Sequence, residues 1–333
     1  MSDKDLEMIE LEDRFYLQGQ SSKPNLVKFS STQLSIFSII NQNNNEIILT
    51  DHVQIIPIDD IYGCLCMRAD HNPVQCYLNL YIYTLKKATK TWGKKDHLHR
   101  TNRVLVYGKF DTYERNLEEV TKWHRLITRA IYSRRNLPLD LVTSKRDKRV
   151  LVFINPASGA GKAQRLVMEH VVGVWSEAEF SYQIILTEHA GHARDYVRSI
   201  KLDDWNGIVV ASGDGLIFEV INGLMNRDDW QEAIKLPLGH LPGGSGNAFI
   251  TNILRYSQQP IMDTMEKFIV QAAVLTATYH VIPFDLAVVD ICNGQRLFSF
   301  LCIEWGIIAD VDCESEQYRF LGRKNKNSEL ISI

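Results

Sequence analysis

Val150-Leu-Val-Phe-Ile-Asn-Pro-Ala-Ser-Gly-Ala-Gly-Lys162 reads as an apolar run, a glycine-rich turn and the opening of a helical pattern. That helix continues to Trp175 through Leu166, Val167, His170, Val171 and Val174. A near-continuous apolar run is what a parallel strand buried on both faces requires. A glycine turn between strand and helix offers backbone amides to phosphate oxygens, aided by the helix dipole. The pattern recurs twice. Ile208-Val-Val-Ala211 leads into Ser212-Gly-Asp-Gly-Leu-Ile-Phe-Glu219, with a helix from Leu216 to Met225. Leu238 to Leu241 leads into Pro242-Gly-Gly-Ser-Gly-Asn247, with a helix from Asn247 to Leu254. Tyr182 to Leu186 and His192 to Ile200 add a further strand and helix. The alternation predicts an α/β nucleotide-binding domain with a mainly parallel sheet over 150–280, its ligands beyond the carboxyl ends of the strands.

Outward from this segment the rhythm changes. Residues 1–140 read as strands at Leu34–Phe37, Glu46–Leu49, Val53–Ile56, Tyr77–Tyr83 and Val104–Tyr107, then a helix from Asn116 to Tyr132 around Trp123. Strands closed by one helix with a central Trp resemble a pleckstrin-homology-like regulatory region. Lys86-Lys-Ala-Thr-Lys90, Lys94 and Lys95 form a basic cluster that suits either an anionic lipid surface or a solvated hairpin loop. Residues 141–149 make a basic linker, with Lys145-Arg-Asp-Lys-Arg149 at its end. Over 281–333 the alternation of Phe284–Ile291, the Asn293-Gly294 turn and a long strand Arg296–Trp305 predict the incomplete start of an antiparallel β-sandwich. A short helix is expected at Cys313–Leu321, and Phe298, Phe300, Ile303 and Trp305 are expected to lack packing partners.

Composition excludes several classes. Of the 333 residues, 45% are hydrophobic and 23% charged, as in a soluble globular protein, and a net charge of -3 gives no reason to expect nucleic-acid binding. The six cysteines show no Cys-x-x-Cys pair, which favours buried, reduced thiols over disulfides or a zinc site built on Cys64, Cys66 and Cys76. The polar, acidic start differs from a secretory signal, and no apolar run has the length of a membrane span. The expected location is cytoplasmic, with peripheral membrane association.

The glycine loops narrow the chemistry. A P-loop needs glycine where Pro156 stands and a hydroxyl where Ala163 stands, and a dinucleotide fingerprint fails at Phe249. A phosphate cradle assembled from separate turns remains. Within Gly213-Asp214-Gly215 the carboxylate suits accepting a proton from a hydroxyl or holding Mg²⁺ beside a polyphosphate, against the plainer role of capping its own helix. Lys162 is either a phosphate partner or a surface lysine. Ser245 and Asn247 point at a nucleotide or cap a helix, and Glu219 stands one turn inside the helix after Gly215. His189 and His192 beside Glu188 read as surface or capping histidines rather than metal ligands.

The second and third loops, with Trp305-Gly-Ile-Ile-Ala-Asp-Val-Asp312 and Glu314-Ser-Glu-Gln-Tyr-Arg319, resemble the diacylglycerol kinase-like catalytic domain and more closely the sphingosine kinases. The similarity covers roughly Arg149 to Gly322. It implies ATP- and Mg²⁺-dependent phosphorylation of the primary hydroxyl of sphingosine or a related long-chain base, with the metal ligands unassigned. Asp214 is implied as the catalytic base. Asn155, Ser158, Gly159, Gly161, Thr187, Gly213, Gly215, Glu219, Gly244, Ser245, Gly246, Asn247 and Arg319 are implied around the nucleotide. Asp312, Cys302 and Ile307 are implied at the lipid, Asp312 pairing with the amine. A carboxylate there gains a charge-assisted hydrogen bond and selects against uncharged diacylglycerol.

The chain departs from the family pattern at Ala157-Ser158, where vertebrate-like members carry a basic residue, and in ending before the rest of the lipid domain. The alternatives are a ceramide or diacylglycerol kinase, and a non-catalytic short form that binds nucleotide, membrane or a full-length partner. A homodimer stays open as an arrangement.

Overall fold

The computed structural model describes residues 11–19, 23–43, 46–86, 97–135, 149–279 and 281–315. They fall into two compact units. One lies within residues 1–145 and takes in Trp175–Phe180 and Ala277–Tyr279; the other comprises residues 146–174, 181–276 and 280–333.

The first unit is built on β1 (Leu11–Leu17), β2 (Asn25–Phe29), β3 (Gln33–Asn43), β4 (Glu46–Pro57), β5 (Ile61–Arg68), β6 (Cys76–Lys86) and β7 (His97–Tyr107). They form one seven-stranded sheet in the order β4-β3-β2-β1-β7-β6-β5, and neighbouring strands run antiparallel. Helix α1 (Tyr113–Arg134) buries Val120, Trp123, Ile127, Ala130 and Ile131 at helical spacing. Trp123 meets the Phe15 ring edge-on, with centroids 5.0 Å apart. Asn116 anchors the helix start: it accepts from the Phe110 amide and donates to the Val74 and Phe110 carbonyls.

The two strands expected at 46–49 and 53–56 are a single strand. Its pairing with β3 shifts register around Ile39, which absorbs the irregular sequence between them. Strands β1 and β2 were not foreseen, whereas β5 carries Cys64 and Cys66, whose alternation suggests a strand. Residues 87–96 and 136–148, which hold most of the basic cluster and of the linker, lie outside the described residues.

The second unit is organised by β8 (Arg149–Ile154), β9 (Tyr182–Leu186), β10 (Trp205–Ser212) and β11 (Leu238–Pro242) in a four-stranded sheet ordered β11-β10-β8-β9. All three pairings are parallel. The continuous burial of Val150–Ile154 and of Gly207–Ser212 is the reason these segments read as unbroken apolar runs.

Helix α2 follows β8 in three parts, Ala163–Leu166, a π turn at Val167–Val171 and Val172–Glu177. Then come α3 (His192–Ser199), α4 (Asp214–Met225), the short α5 (Trp230–Ala233), α6 (Ala248–Tyr256) and α7 (Met265–Ala277). Helices α3 and α4 cross closely at Gly223, where a side chain would collide with Val197 and the Arg194 carbonyl.

Beyond residue 281 the structure corrects the sequence reading. Among the described residues of this stretch only Ala287–Asp290 (β12) and Arg296–Ser299 (β13) form strands, and they pair as an antiparallel hairpin. The long strand to Trp305 is absent because β12 supplies no partner beyond Ala287↔Ser299. The helix expected at 313–321 is α8 (Ile307–Ser315), and residues after 315 lie outside the described set.

Phe298 and Phe300 do pack, against the core of the parallel-sheet unit, whereas Ile303 and Trp305 are 71% and 90% exposed. Cys64 and Cys76 are buried and Cys66 half-buried, but Cys292, Cys302 and Cys313 are exposed, contrary to the expectation of buried thiols.

Candidate active site

Parallel pairing brings the carboxyl ends of the four strands to one edge. Ile154 pairs with Leu186 and with Ala211, and Ser212 with Pro242. Each glycine loop therefore leaves the sheet beside the next, and ligands of such sheets bind at this edge.

The loops are in backbone contact. A Cβ on Gly244 would lie 2.6 Å from the Gly213 nitrogen, and one on Gly159 would overlap the Gly243 carbonyl oxygen. Glycine is therefore required at both places by close approach. The first loop turns through left-handed conformations at Gly159, Ala160 and Gly161, with φ of 61°, 56° and 80°. For Ala160 this costs roughly 1–2 kcal/mol. Adjacent right- and left-handed residues form concavities suited to anions.

Side chains tie the loops further. Asn155 Oδ1 accepts from the Ala157 amide at 2.9 Å, and the Ser158 and Ser212 hydroxyls meet at 2.6 Å. Asn247 Oδ1 accepts from the Gly243 and Gly244 amides, both at 3.1 Å, while its Nδ2 donates to the Gly244 carbonyl. Its buried side chain thus braces its own loop and does not cap the helix that follows. Ser245 and Gly246 are exposed beside it.

Asp214 is the first residue of α4, but its carboxylate does not cap that helix. Oδ2 accepts from the Ala248 amide at 2.8 Å and Oδ1 from the Phe249 amide at 3.0 Å, so it caps α6. The plainer alternative, a cap on its own helix, is therefore not what the carboxylate does. The carboxylate is held among the loops and remains partly exposed, at 18%. Behind it stands buried His240, Nδ1 to Asp214 Oδ1 4.0 Å. Burial drives the imidazole below its ordinary range, opposed by the hydrogen bond to Ser212 and the charge of Asp214. The sequence reading missed His240, although a lone histidine in an apolar strand two residues before a glycine loop is a visible signal.

Thr187 is buried, its amide donating to the Ile154 carbonyl. Glu219 stands partly buried in α4, with Oε2 lacking a hydrogen-bond partner. Lys162 is exposed. His192 Nδ1 accepts from the Glu188 amide, and its ring stacks on His189 at 5.2 Å. Cys302 and Ile307 are exposed after β13, Asp312 belongs to α8, and Arg319 lies outside the described residues. Among the described residues no group of three or more His, Cys, Asp or Glu side chains could hold a metal ion.

A parallel sheet with three interlocked glycine loops and one carboxylate among them defines an α/β domain whose loop amides suit phosphate oxygens. Residues 149–282 match the diacylglycerol kinase catalytic domain. Human sphingosine kinase 2 is 35% identical over 80% of this chain and 40% of its own length. Human sphingosine kinase 1 is 46% identical over 53% of this chain and 46% of its own. Sphingoid long chain base kinase 4 of Schizosaccharomyces pombe is 38% identical over 54% and 36%. Over these stretches the chain is similar to the sphingosine kinases, and its residues 149–282 carry the diacylglycerol kinase catalytic domain match. It spans less than half the length of these curated relatives.

Proposed function

We propose that this chain transfers the terminal phosphoryl group of ATP to the primary hydroxyl of sphingosine or a related long-chain base. The meeting of three glycine loops around the Asp214 carboxylate carries this reading. Loop amides, with Thr187 and Glu219 nearby, position the triphosphate and offset the charge that builds during transfer. Asp214 accepts the hydroxyl proton; the amides of Ala248 and Phe249 hold it in one orientation, which is what a general base requires.

Mg²⁺ fits poorly as a resident ion of the described residues, which offer no ligand cluster. It fits as an ion carried on the nucleotide phosphates. Asp312, Cys302, Ile307 and Arg319 complete the reading as lipid and phosphate contacts, on family resemblance alone. So do peripheral membrane contact and a cytoplasmic location. Among the described residues no helix is long and apolar enough to cross a membrane.

A second reading, nucleotide binding without lipid transfer, is favoured by the exposure of Cys302 and Ile307, two of the expected lipid-side residues, beside the exposed Ile303 and Trp305. Phosphate transfer from ATP to detergent-dispersed sphingosine, ceramide and diacylglycerol separates the readings, with Asp214→Asn as control. Transfer to sphingosine that vanishes in the variant supports the kinase. ATP binding without transfer supports the second reading.

A further inference from the structure

His240 lies in β11, directly behind the Gly213-Asp214-Gly215 turn, and is 1% exposed. Its Nε2 is 2.9 Å from the Ser212 carbonyl oxygen. A carbonyl only accepts, so Nε2 carries the hydrogen and the neutral ring presents a bare Nδ1. That Nδ1 is buried and has no hydrogen-bond partner among the described residues. It is 4.0 Å from Asp214 Oδ1. Buried polar atoms are nearly always paired, and an unpaired one calls for an explanation. The groups facing the ring are the Ser212 carbonyl from β10, Asp214 from α4 and the Phe249 ring from α6, centroids 6.2 Å apart. Of these, Asp214 alone is charged.

We propose that His240 is a positioning residue that receives, at Nδ1, the proton Asp214 takes from the acceptor hydroxyl. The chemistry rests on the kinase reading above; the geometry does not. The hydroxyl O–H bond breaks and its electron pair forms the new O–P bond. The bond from the γ-phosphorus to the bridging oxygen breaks, its electrons leaving on ADP. The proton passes to an Asp214 oxygen and then to Nδ1, leaving a carboxylate beside an imidazolium. On product release it returns through Asp214 to water. Ser212 serves this arrangement by fixing the tautomer. Burial keeps the resting ring neutral, and the charge of Asp214 favours its protonation once a proton is available.

The first test needs no activity. Imidazole nitrogen NMR of the full chain and of its Asp214→Asn variant should show the Nε2–H tautomer. Protonation at Nδ1 should have a midpoint lower by about one pH unit or more in the variant. The opposite tautomer, an unchanged midpoint, or a ring that stays neutral until the chain unfolds in acid overturns the proposal. The second test is the kcat profile against pH with ATP and sphingosine. His240→Gln keeps a donor for Ser212 and lacks a base at the Nδ1 position. It should reduce kcat roughly tenfold or more and move the acidic limb to lower pH, with KM for ATP unchanged. A His240→Gln profile that overlays the parent overturns the proposal. Absence of transfer in the parent counts against the kinase reading, and the NMR result still decides the role of His240.

Discussion

Asp214 accepts the Phe249 amide across 35 residues of chain, so the second glycine loop caps the helix that the third one opens. The residue proposed for the chemistry is therefore also a structural clasp. Function and stability are entangled at this position, and variants there need both measured.

Replacing Asp214 by Asn leaves one acceptor oxygen for two amides and removes the charge from the start of α6. A loss of about 1 kcal/mol is expected, and about 2 kcal/mol for Asp214→Ala. Phosphate transfer should fall at least about a hundredfold in both. Urea titration beside the transfer assay checks the pair of effects; equal stability of all three proteins would show that the clasp contributes nothing.

Gly244→Ala should destabilise by about 2–3 kcal/mol, because the new methyl group meets Gly213 backbone atoms that have nowhere to go. The adjacent exposed Ser245→Ala should change stability by less than about 0.5 kcal/mol. Denaturant midpoints for the two variants give the comparison.

Asn222 in α4 donates to the Phe298 carbonyl and accepts from the Phe298 amide, both at 2.9 Å, and also donates to Phe218. Asn222→Ala strips the partners from both Phe298 groups. A cost of about 2–4 kcal/mol is expected, together with faster limited proteolysis within the β12–β13 hairpin. Unchanged cleavage would mean that packing alone holds the hairpin.

His240 also predicts a dependence of stability on pH. Its folded form resists protonation because of burial. Below about pH 6.5 the unfolded chain then binds more protons than the folded one, and stability falls as pH falls. The decline continues until the folded ring itself takes a proton. Unfolding free energies at about pH 7.5 and 5.5 should differ more for the parent than for His240→Gln; a slope unaffected by the substitution would assign the loss to other groups.

Thiol labelling of the native protein should divide the cysteines. Cys292, Cys302 and Cys313 are exposed and should react within minutes. Cys64, Cys66 and Cys76 should react only on unfolding; burial pushes the Cys66 thiol up to about 12. Mass spectrometry after a short pulse of alkylating reagent reads the division directly.

The parallel sheet was legible because strands buried on both faces announce themselves: Tyr182–Leu186 was delimited to the residue, and β8, β10 and β11 to within a few. Leu11-Glu-Asp-Arg-Phe-Tyr-Leu17 gives no such signal, yet it sits between β2 and β7 as β1. Arg296–Trp305 shows the opposite error. Its composition suits a strand, but a strand requires a partner, and pairing stops at Ser299. The glycine loops were legible as positions. The capping of α6 by Asp214, the bracing by Asn247 and the approach of His240 were not, because each depends on which strand lies beside which.

Helix α4 begins at Asp214 and carries Asn222 eight residues on, about 12 Å along its axis at 1.5 Å per residue. One stiff rod thus has the carboxylate at one end and the grip on Phe298 further along. The link between the hairpin and the carboxylate is helix along its whole length rather than loop. On the kinase reading proposed above, a movement of β13 would act on the proposed base through this helix.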